Sequence, residues 1–202
     1  MKIIEGRDVD LLYPFPQKEL KRVFSWLRCY RTIPEIDSFP ATAEALGEAM
    51  ARVPTMQTFG IVDKNNFLQV RHEVPLIGMC TLDHDTLVNC NIHVTSNLKA
   101  WNSRLVDQAA LLLVNYAFRY LPELTRVTLN CLSSNGPGRA LARELRFRYE
   151  GCIRDAVVIN NVPANMALNG LTRTDWNAFG LSEQVIEPVE LVYKETGELV
   201  HG

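Results

Sequence analysis

Residues 126–155 read RVTLNCLSSNGPGRALARELRFRYEGCIRD, and the period of the chain changes twice within this run. Arg126 to Leu132 alternates as a strand, Ser133-Ser134-Asn135-Gly136 supplies a turn, and Pro137 suits the first turn of a short helix ending near Leu145. A strand that passes directly into a helix is half of a crossover, so the segment belongs to an α/β arrangement. Immediately before it, Arg104 to Tyr120 carries Leu105, Val106, Ala109, Leu112, Leu113, Tyr116 and Ala117 on one wide apolar face, closed by Pro122. That helix is predicted to pack on a sheet. Immediately after it, Cys152 to Asn160 and Asn165 to Leu171 form a hairpin-like pair around Asn160-Asn161-Val162-Pro163, and a tail follows Trp176.

The N-terminal half has a different pattern. A short strand at Lys2 to Glu5 precedes an amphipathic helix, Gln17 to Cys29, with Leu20, Val23, Phe24 and Leu27 at helical spacing. A second helix starts near Thr42 and Glu44, after Pro40, and runs through Leu46, Ala49, Met50 and Val53 to Pro54. Met56 to Val62, Phe67 to Val70, Leu76 to Leu82 and Thr86 to Val94 are β-prone runs separated by Asp63-Lys64-Asn65-Asn66, Pro75 and Asp83-His84-Asp85, the pattern of an antiparallel meander.

Composition narrows the class. The chain has 202 residues, 47% of them hydrophobic, enough for one compact domain with a real core. A net charge of −2 gives no basic footprint for nucleic acid or an anionic membrane. Five scattered cysteines (Cys29, Cys80, Cys90, Cys131, Cys152) lack the spacing of a disulfide framework or a zinc site and read as small buried hydrophobes in a reducing, cytoplasmic setting. No apolar run approaches the roughly 18 to 20 residues that span a bilayer. Asp83-His84-Asp85 reads as a polar turn, and no metal site is expected.

From Ile92 to Trp176 the chain resembles the GNAT (GCN5-related N-acetyltransferase) superfamily, most of all its ribosomal-protein N-terminal acetyltransferase branch. The residues that carry the resemblance are Ala109 to Phe118 with Tyr116-Ala117-Phe118, Asn135 to Phe147 at the spacing of N-x-x-S…L-G-F, Glu150-Gly151-Cys152-Ile153-Arg154-Asp155 as E-G-x-x-R-(D/E), and Leu171, Arg173 and Trp176 at the close. The resemblance implies an α/β (α+β) GNAT fold: a mixed, mostly antiparallel twisted sheet of about 6–7 strands flanked by about four helices. On this reading residues 1–176 form the domain, and 177–202 are an extension packed on it or at an interface, with Val185, Ile186, Val189, Leu191 and Val192 able to add a strand.

The resemblance also implies a site. Acetyl-CoA, as cosubstrate, would lie where Thr86 to Val94 and Arg126 to Leu132 splay, with backbone contacts from strand residues such as Val94. Its pyrophosphate would meet the start of the long helix, where the family writes (Q/R)-x-x-G-x-(G/A). Here Trp101-Asn102-Ser103-Arg104-Leu105-Val106 stands instead, so Arg104 and Val106 replace both glycines. Asn102 and Ser103 could cap that helix or meet phosphate, Arg104 could pair a phosphate, and Trp101 could plug the entrance. Asn135, Arg139 and Arg143 are the remaining cofactor-binding candidates, toward pantetheine and the adenosine phosphate.

Acetyl transfer to an amine needs a base and an acid for the leaving thiolate. Asn89, Asn91 and His93 alternate onto one strand face, which makes His93 the candidate base. The family's tyrosine acid falls at Ala142, so Ser133 or Ser134 is the substitute, with Ser134 taken as the candidate. Cys131 and Cys152 read as buried packing, and Trp26, Trp101 and Trp176 as core or rim. Two functions follow. One is an acetyl-CoA-dependent N-acetyltransferase acting by direct transfer on a protein N-terminus, lysine or small amine. The other is a non-catalytic GNAT-like binding or assembly module, of a kind tailed phages encode, using the C-terminal extension for a homodimer or a protein partner.

Overall fold

The computed structural model describes residues 2–29, 40–53, 55–66, 76–101, 104–180, 188–193 and 199–201. Its N-terminal strands are β1 (Lys2–Glu5) and β2 (Val9–Tyr13), followed by helices α1 (Leu20–Cys29) and α2 (Ala43–Arg52). Thr42 caps α2, its hydroxyl accepting from the Ala45 N–H at 3.1 Å. The meander is β3 (Met56–Asp63), β4 (Leu76–His84) and β5 (Asn89–Ser96), each antiparallel to the last. The short α3 (Leu98–Trp101) leads to α4 (Leu105–Tyr120). Then come β6 (Arg126–Thr128), β7 (Cys131–Leu132), α5 (Gly136–Glu144), β8 (Arg148–Ile159), β9 (Val162–Thr172) and α6 (Arg173–Ala178). The strands β10 (Pro188–Tyr193) and β11 (Leu199–His201) follow, β10 antiparallel to β1 and β11 to β10.

The sheet is larger than the sequence suggested, with eleven strands among the described residues against about 6–7 expected, and six α-helices against about four. Three causes account for the strands. β2 is a short apolar run, β10 and β11 belong to the tail, and the expected strand from Arg126 to Leu132 is interrupted at Leu129-Asn130, although both pieces hold one register against β9. The acidic turn moves too: Asp83 and His84 end β4, and the connection begins at Asp85. The expected strand Phe67 to Val70, with Pro54 and Pro75, lies outside the described residues.

Two layers cover the sheet. α4 buries Val106, Ala109, Ala110, Leu113, Val114, Ala117 and Phe118 on Leu11, Phe59, Cys80, Ile92 and Val127, and α5 adds Leu141, Ala142 and Leu145 to the same core. α1 and α2 make a second cluster on the other face through Leu20, Val23, Phe24 and Leu46 with Leu76 and Met79. Because side chains alternate along a strand, odd-numbered Met79 faces the α1–α2 layer while Cys80 faces α4. The β8–β9 hairpin turns on Asn160 and Asn161, whose φ values of 50° and 61° close it in two residues. The turn is therefore tighter than the four residues expected, and Val162 and Pro163 pair within β9.

The closing motif is structural. Trp176 is buried against Phe118, and its Nε1–H donates to Asn115 Oδ1 at 2.7 Å. Arg173 clamps the end of α4, donating to the carbonyls of Phe118 (2.6 Å), Leu121 (2.9 Å), Pro122 (3.3 Å) and Leu124 (2.8 Å). The Phe118 carbonyl is one that the helix terminus leaves without a partner, because Pro122 has no N–H, and the Leu121 carbonyl also accepts the Leu124 N–H at 3.0 Å. Among the described residues no helix is long and apolar enough to cross a membrane.

Arg173→Met keeps most of the side-chain volume and removes these hydrogen bonds, leaving the Phe118 carbonyl without a donor. It should lower unfolding free energy by roughly 2–3 kcal/mol in urea denaturation, the scale of hydrogen bonds to a charged group, with amide exchange accelerating first in the last turn of α4.

Candidate functional site

The site begins where the sheet comes apart. β5 runs parallel to β6 through Asn89↔Arg126, Cys90↔Val127 and Asn91↔Thr128, and this pairing then stops. β5 continues against β4 as far as Ser96, while the other chain continues against β9 to Leu132. Two asparagines hold the second arm where it leaves. Asn169 donates its Nδ2–H to Leu129 O at 2.9 Å, its carbonyl accepts the Leu129 N–H at 3.0 Å, and its own N–H turns to Asn130 Oδ1 at 3.4 Å.

The parting leaves backbone groups of β5 facing a groove. Asn97 donates to Ile77 O at 2.8 Å, which fixes the alternation: Asn91, His93 and Thr95 exchange ladder bonds with β4, and Ile92 and Val94 turn theirs the other way. Among the described residues no strand lies beside β5 there. Val94 thus presents its N–H and C=O to the opening, with its side chain packed against the core.

On the α1–α2 face of this junction stand Asn91 and His93 of β5, Thr81 and Asp83 of β4, Thr58 of β3 and Thr128 of β6. Thr128 Oγ1 donates to Asn91 Oδ1 at 3.1 Å and approaches Cys90 O at 3.3 Å, and Asn91 Nδ2 lies 3.1 Å from His93 Nε2. The His93 side chain is exposed, and partial desolvation by the groups packed around it lowers its pKa below the ordinary histidine value. Asp83 and Asp85 pull the other way and are outweighed. The Thr81 hydroxyl, beside His93 across the strands, is buried and has no hydrogen-bond partner among the described residues. Among those residues no group of three His, Cys, Asp or Glu side chains could hold a metal ion.

At the start of α4, Arg104 is exposed at the N-cap without a side-chain capping bond, and Gln108 N–H to Arg104 O (3.1 Å) is the first helical bond. Val106 is 2% exposed and packs into the core, so its bulk is directed away from the helix terminus. Trp101 is partly buried against the same core. Asn102 and Ser103 lie outside the described residues. A feature the sequence reading passed over is Asp107, in the first turn. Desolvation raises its carboxyl pKa, repulsion from Glu144 adds to the rise, and Arg104 counters it. The signal was in the sequence as an acid three residues beyond the N-cap, where it favours the helix dipole.

The remaining candidates are dispersed. Asn135 is committed to capping α5, its Oδ1 accepting from Gly138 N–H at 3.0 Å. Ser134 is exposed in the turn, and Ser133 Oγ lies 3.5 Å from Cys152 Sγ. Arg139 donates to Ser133 O at 3.3 Å, and with Arg143 it lines a cavity of about 410 Å³ bounded by Phe147, Tyr149 and Asn169. These arginines share the stripe of α5 opposite buried Leu141. Cys131 is buried as expected, and burial pushes its thiol up. Cys152 is exposed, contrary to expectation, because β8 is an edge strand that nothing covers among the described residues. Cys90, buried near Asp85 and Asp83, has its thiol pushed up to about 12, chiefly by desolvation.

Comparison with solved structures identifies the architecture. The chain superposes on a GCN5-related N-acetyltransferase from Brucella melitensis with a TM-score of 0.70 at 21% identity, covering 90% of this chain and 82% of that one. The ribosomal-protein-S5-alanine acetyltransferase of Vibrio fischeri gives 0.66 at 13%, covering 86% and 98%. The spermidine N-acetyltransferase of Vibrio cholerae, solved with CoA and spermine, gives 0.70 at 14%, covering 85% and 99%. No family model matches the sequence, and no curated protein matches it. The chain has the GNAT fold.

A desolvated His93 has a measurable signature. Its ring should titrate by NMR with a midpoint below the ordinary 6.5. Because the unfolded ring takes its proton at higher pH than the folded one, His93 removes stability as pH falls through the interval between the two values and is neutral toward it above 6.5. A midpoint at or above 6.5 would contradict the desolvated setting.

Proposed function

We propose that this protein is an acetyl-CoA-dependent N-acetyltransferase acting on an amine by direct transfer. The observation that carries the reading is the opening between β5 and β7, where the backbone N–H and C=O of Val94 are presented next to His93. Bound in this groove, acetyl-CoA supplies an activated acetyl group. Val94 offers strand-like hydrogen bonds to the amide chain of the cosubstrate, and the parting of the arms gives that chain room. His93 receives the proton lost by the amine nitrogen as it bonds to the acetyl carbon, directly or through one water. Its lowered pKa keeps it unprotonated at neutral pH, the state a base needs. The acceptor class, whether protein N-terminus, lysine or small amine, enters from the α1–α2 side, where Asp83 can meet a cationic amine. Ser134 is the exposed hydroxyl nearest in sequence to the end of β7, and serves as the proposed proton donor to the thiolate.

The phosphate end fits less well. Buried Val106 does not obstruct the helix terminus and Arg104 can pair a phosphate, but Asp107 places a carboxylate in the first turn, where an anion would have to bind. That observation favours the second reading, a non-catalytic module whose helix start is satisfied by its own acid.

Calorimetric titration with acetyl-CoA and with coenzyme A separates the two. Saturable micromolar binding is expected for the enzyme, and no heat with no thermal shift would leave the module. Asp107→Asn removes the competing charge and should tighten coenzyme A roughly threefold to fivefold, the scale of one charge at a helix terminus, while costing some helix stability. In an acetyl-CoA-dependent assay against a panel of peptide and polyamine acceptors, His93→Gln should lower kcat by about 100-fold to 10,000-fold and leave acetyl-CoA binding intact. Unchanged turnover would remove His93 from the reaction.

A further inference from the structure

The outer stripe of α5 leads away from the groove. Arg139 and Arg143 stand on it one helical turn apart, both exposed. On the opposite side Leu141 packs into the core shared with α4, and Glu144 is the α5 side chain whose charge reaches Asp107 in the first turn of α4. The body of α5 therefore separates the two guanidiniums from that helix terminus. They line instead the cavity of about 410 Å³ closed by Phe147 and by the β8–β9 pair, where Tyr149 and Asn169 lie opposite each other in register and share a face.

The walls of this cavity present unmet hydrogen-bonding groups. Arg139 gives one N–H to Ser133 O at 3.3 Å, and neither arginine has an acidic partner among the described residues. Glu150, the carboxylate next along β8, is held by Arg126, so the cavity keeps its positive charge. Asn169 is 5% exposed, and its amide faces one way only, because Nδ2–H donates to Leu129 O at 2.9 Å and a carbonyl oxygen accepts nothing from another oxygen that lacks a proton. Oδ1 is left as an acceptor with no partner among the described residues. A largely buried acceptor in that state costs stability until something donates to it. Tyr149, 65% exposed, adds an aromatic ring to the same wall.

We propose that this cavity binds a nucleoside monophosphate at a site separate from the acetyl-CoA groove: Arg139 and Arg143 hold the phosphate, the Tyr149 ring stacks on the base, and Asn169 Oδ1 accepts an N–H from the base edge. Two guanidiniums one turn apart suit the several oxygens of a phosphate, each able to take a charge-assisted hydrogen bond. An aromatic ring suits the flat face that every base has, and an amide that can only accept suits the exocyclic amine or ring N–H that a base carries. The volume is at the small end of ligand cavities and has room for one nucleotide. Binding there does not require acetyl transfer.

Titration calorimetry of the whole protein with adenosine monophosphate tests this site, with inorganic phosphate and adenosine as the two halves of the ligand. The nucleotide should bind saturably and more tightly than either half. Arg139→Gln and Arg143→Gln should each weaken it about 10-fold to 100-fold, the scale of a charge-assisted hydrogen bond, and Tyr149→Ser about 5-fold to 100-fold, the scale of one stacked base. All three side chains are exposed, and an unchanged thermal unfolding midpoint shows that each variant folds. Nucleotide affinity should be the same with and without saturating coenzyme A. Absence of nucleotide binding, binding that the arginine variants leave unmoved, or displacement of the nucleotide by coenzyme A overturns the proposal, as does equal affinity for inorganic phosphate with no effect of Tyr149→Ser. A protein that binds the nucleotide but not coenzyme A would defeat the acetyltransferase reading and leave this site standing.

Discussion

The parting of β5 from β6 after the Asn91↔Thr128 pair is the constraint on which the rest of the molecule depends. A sheet opened in its middle exposes backbone donors and acceptors that would normally satisfy each other, and buried groups of this kind are costly to leave unmet. One arm answers with side chains, Asn169 and Asn130 replacing ladder bonds around Leu129. The other arm keeps β4 on one edge and leaves Val94 facing the opening. Both arms are held from beneath by α4 and α5, whose side chains reach Ile92 on one arm and Val127, Leu129 and Leu171 on the other. The opening can therefore persist without the core dividing.

The same geometry brings together groups that lie far apart in the chain. Thr81, Asp83, Asn91, His93 and Thr128 share a face because strand alternation and register place them there. The α4 face of the same strands is apolar. Chemistry and core are thus the two sides of one sheet, and the polar side lies under the layer formed by α1 and α2. At the far end of the groove the balance of forces is different. Asp107 complements the α4 dipole, and a bound phosphate would claim the same N–H groups, so helix stability and anion binding compete at that point.

The closing elements stabilise rather than react. Arg173 satisfies the carbonyls that end α4, and Trp176 fills the space beside Phe118 while donating to Asn115. A Cβ at Gly170 would meet the charged ends of the Arg126–Glu150 pair, so a side chain there would displace that pair. Among the described residues nothing covers the edge beyond, where Ile153, Val158 and Val162 of the β8–β9 hairpin are exposed.

Period and punctuation in the sequence determined the helices α1, α2, α4 and α5, the β3–β5 meander and the closing hairpin, because amphipathic spacing and turn residues act locally. They also placed His93 beside Asn91 on one strand face, since alternation needs no tertiary information. The short β2, the small β11 and the two-residue turn at Asn160-Asn161 were not legible in the same way, whereas Val189, Leu191 and Val192 had marked the tail strand β10. A brief apolar run does not reveal its partner strand, and a turn type is set by φ values that composition only hints at. Amphipathic spacing also put Val106 on the apolar face of α4 and Asp107 in its first turn; only the tertiary structure decided that Asp107 is partly desolvated and lies near Glu144 of α5, because that depends on how α5 packs beside the start of α4. It alone brought Thr128 to Asn91, 37 residues away in sequence, through a parallel pairing that no local pattern encodes.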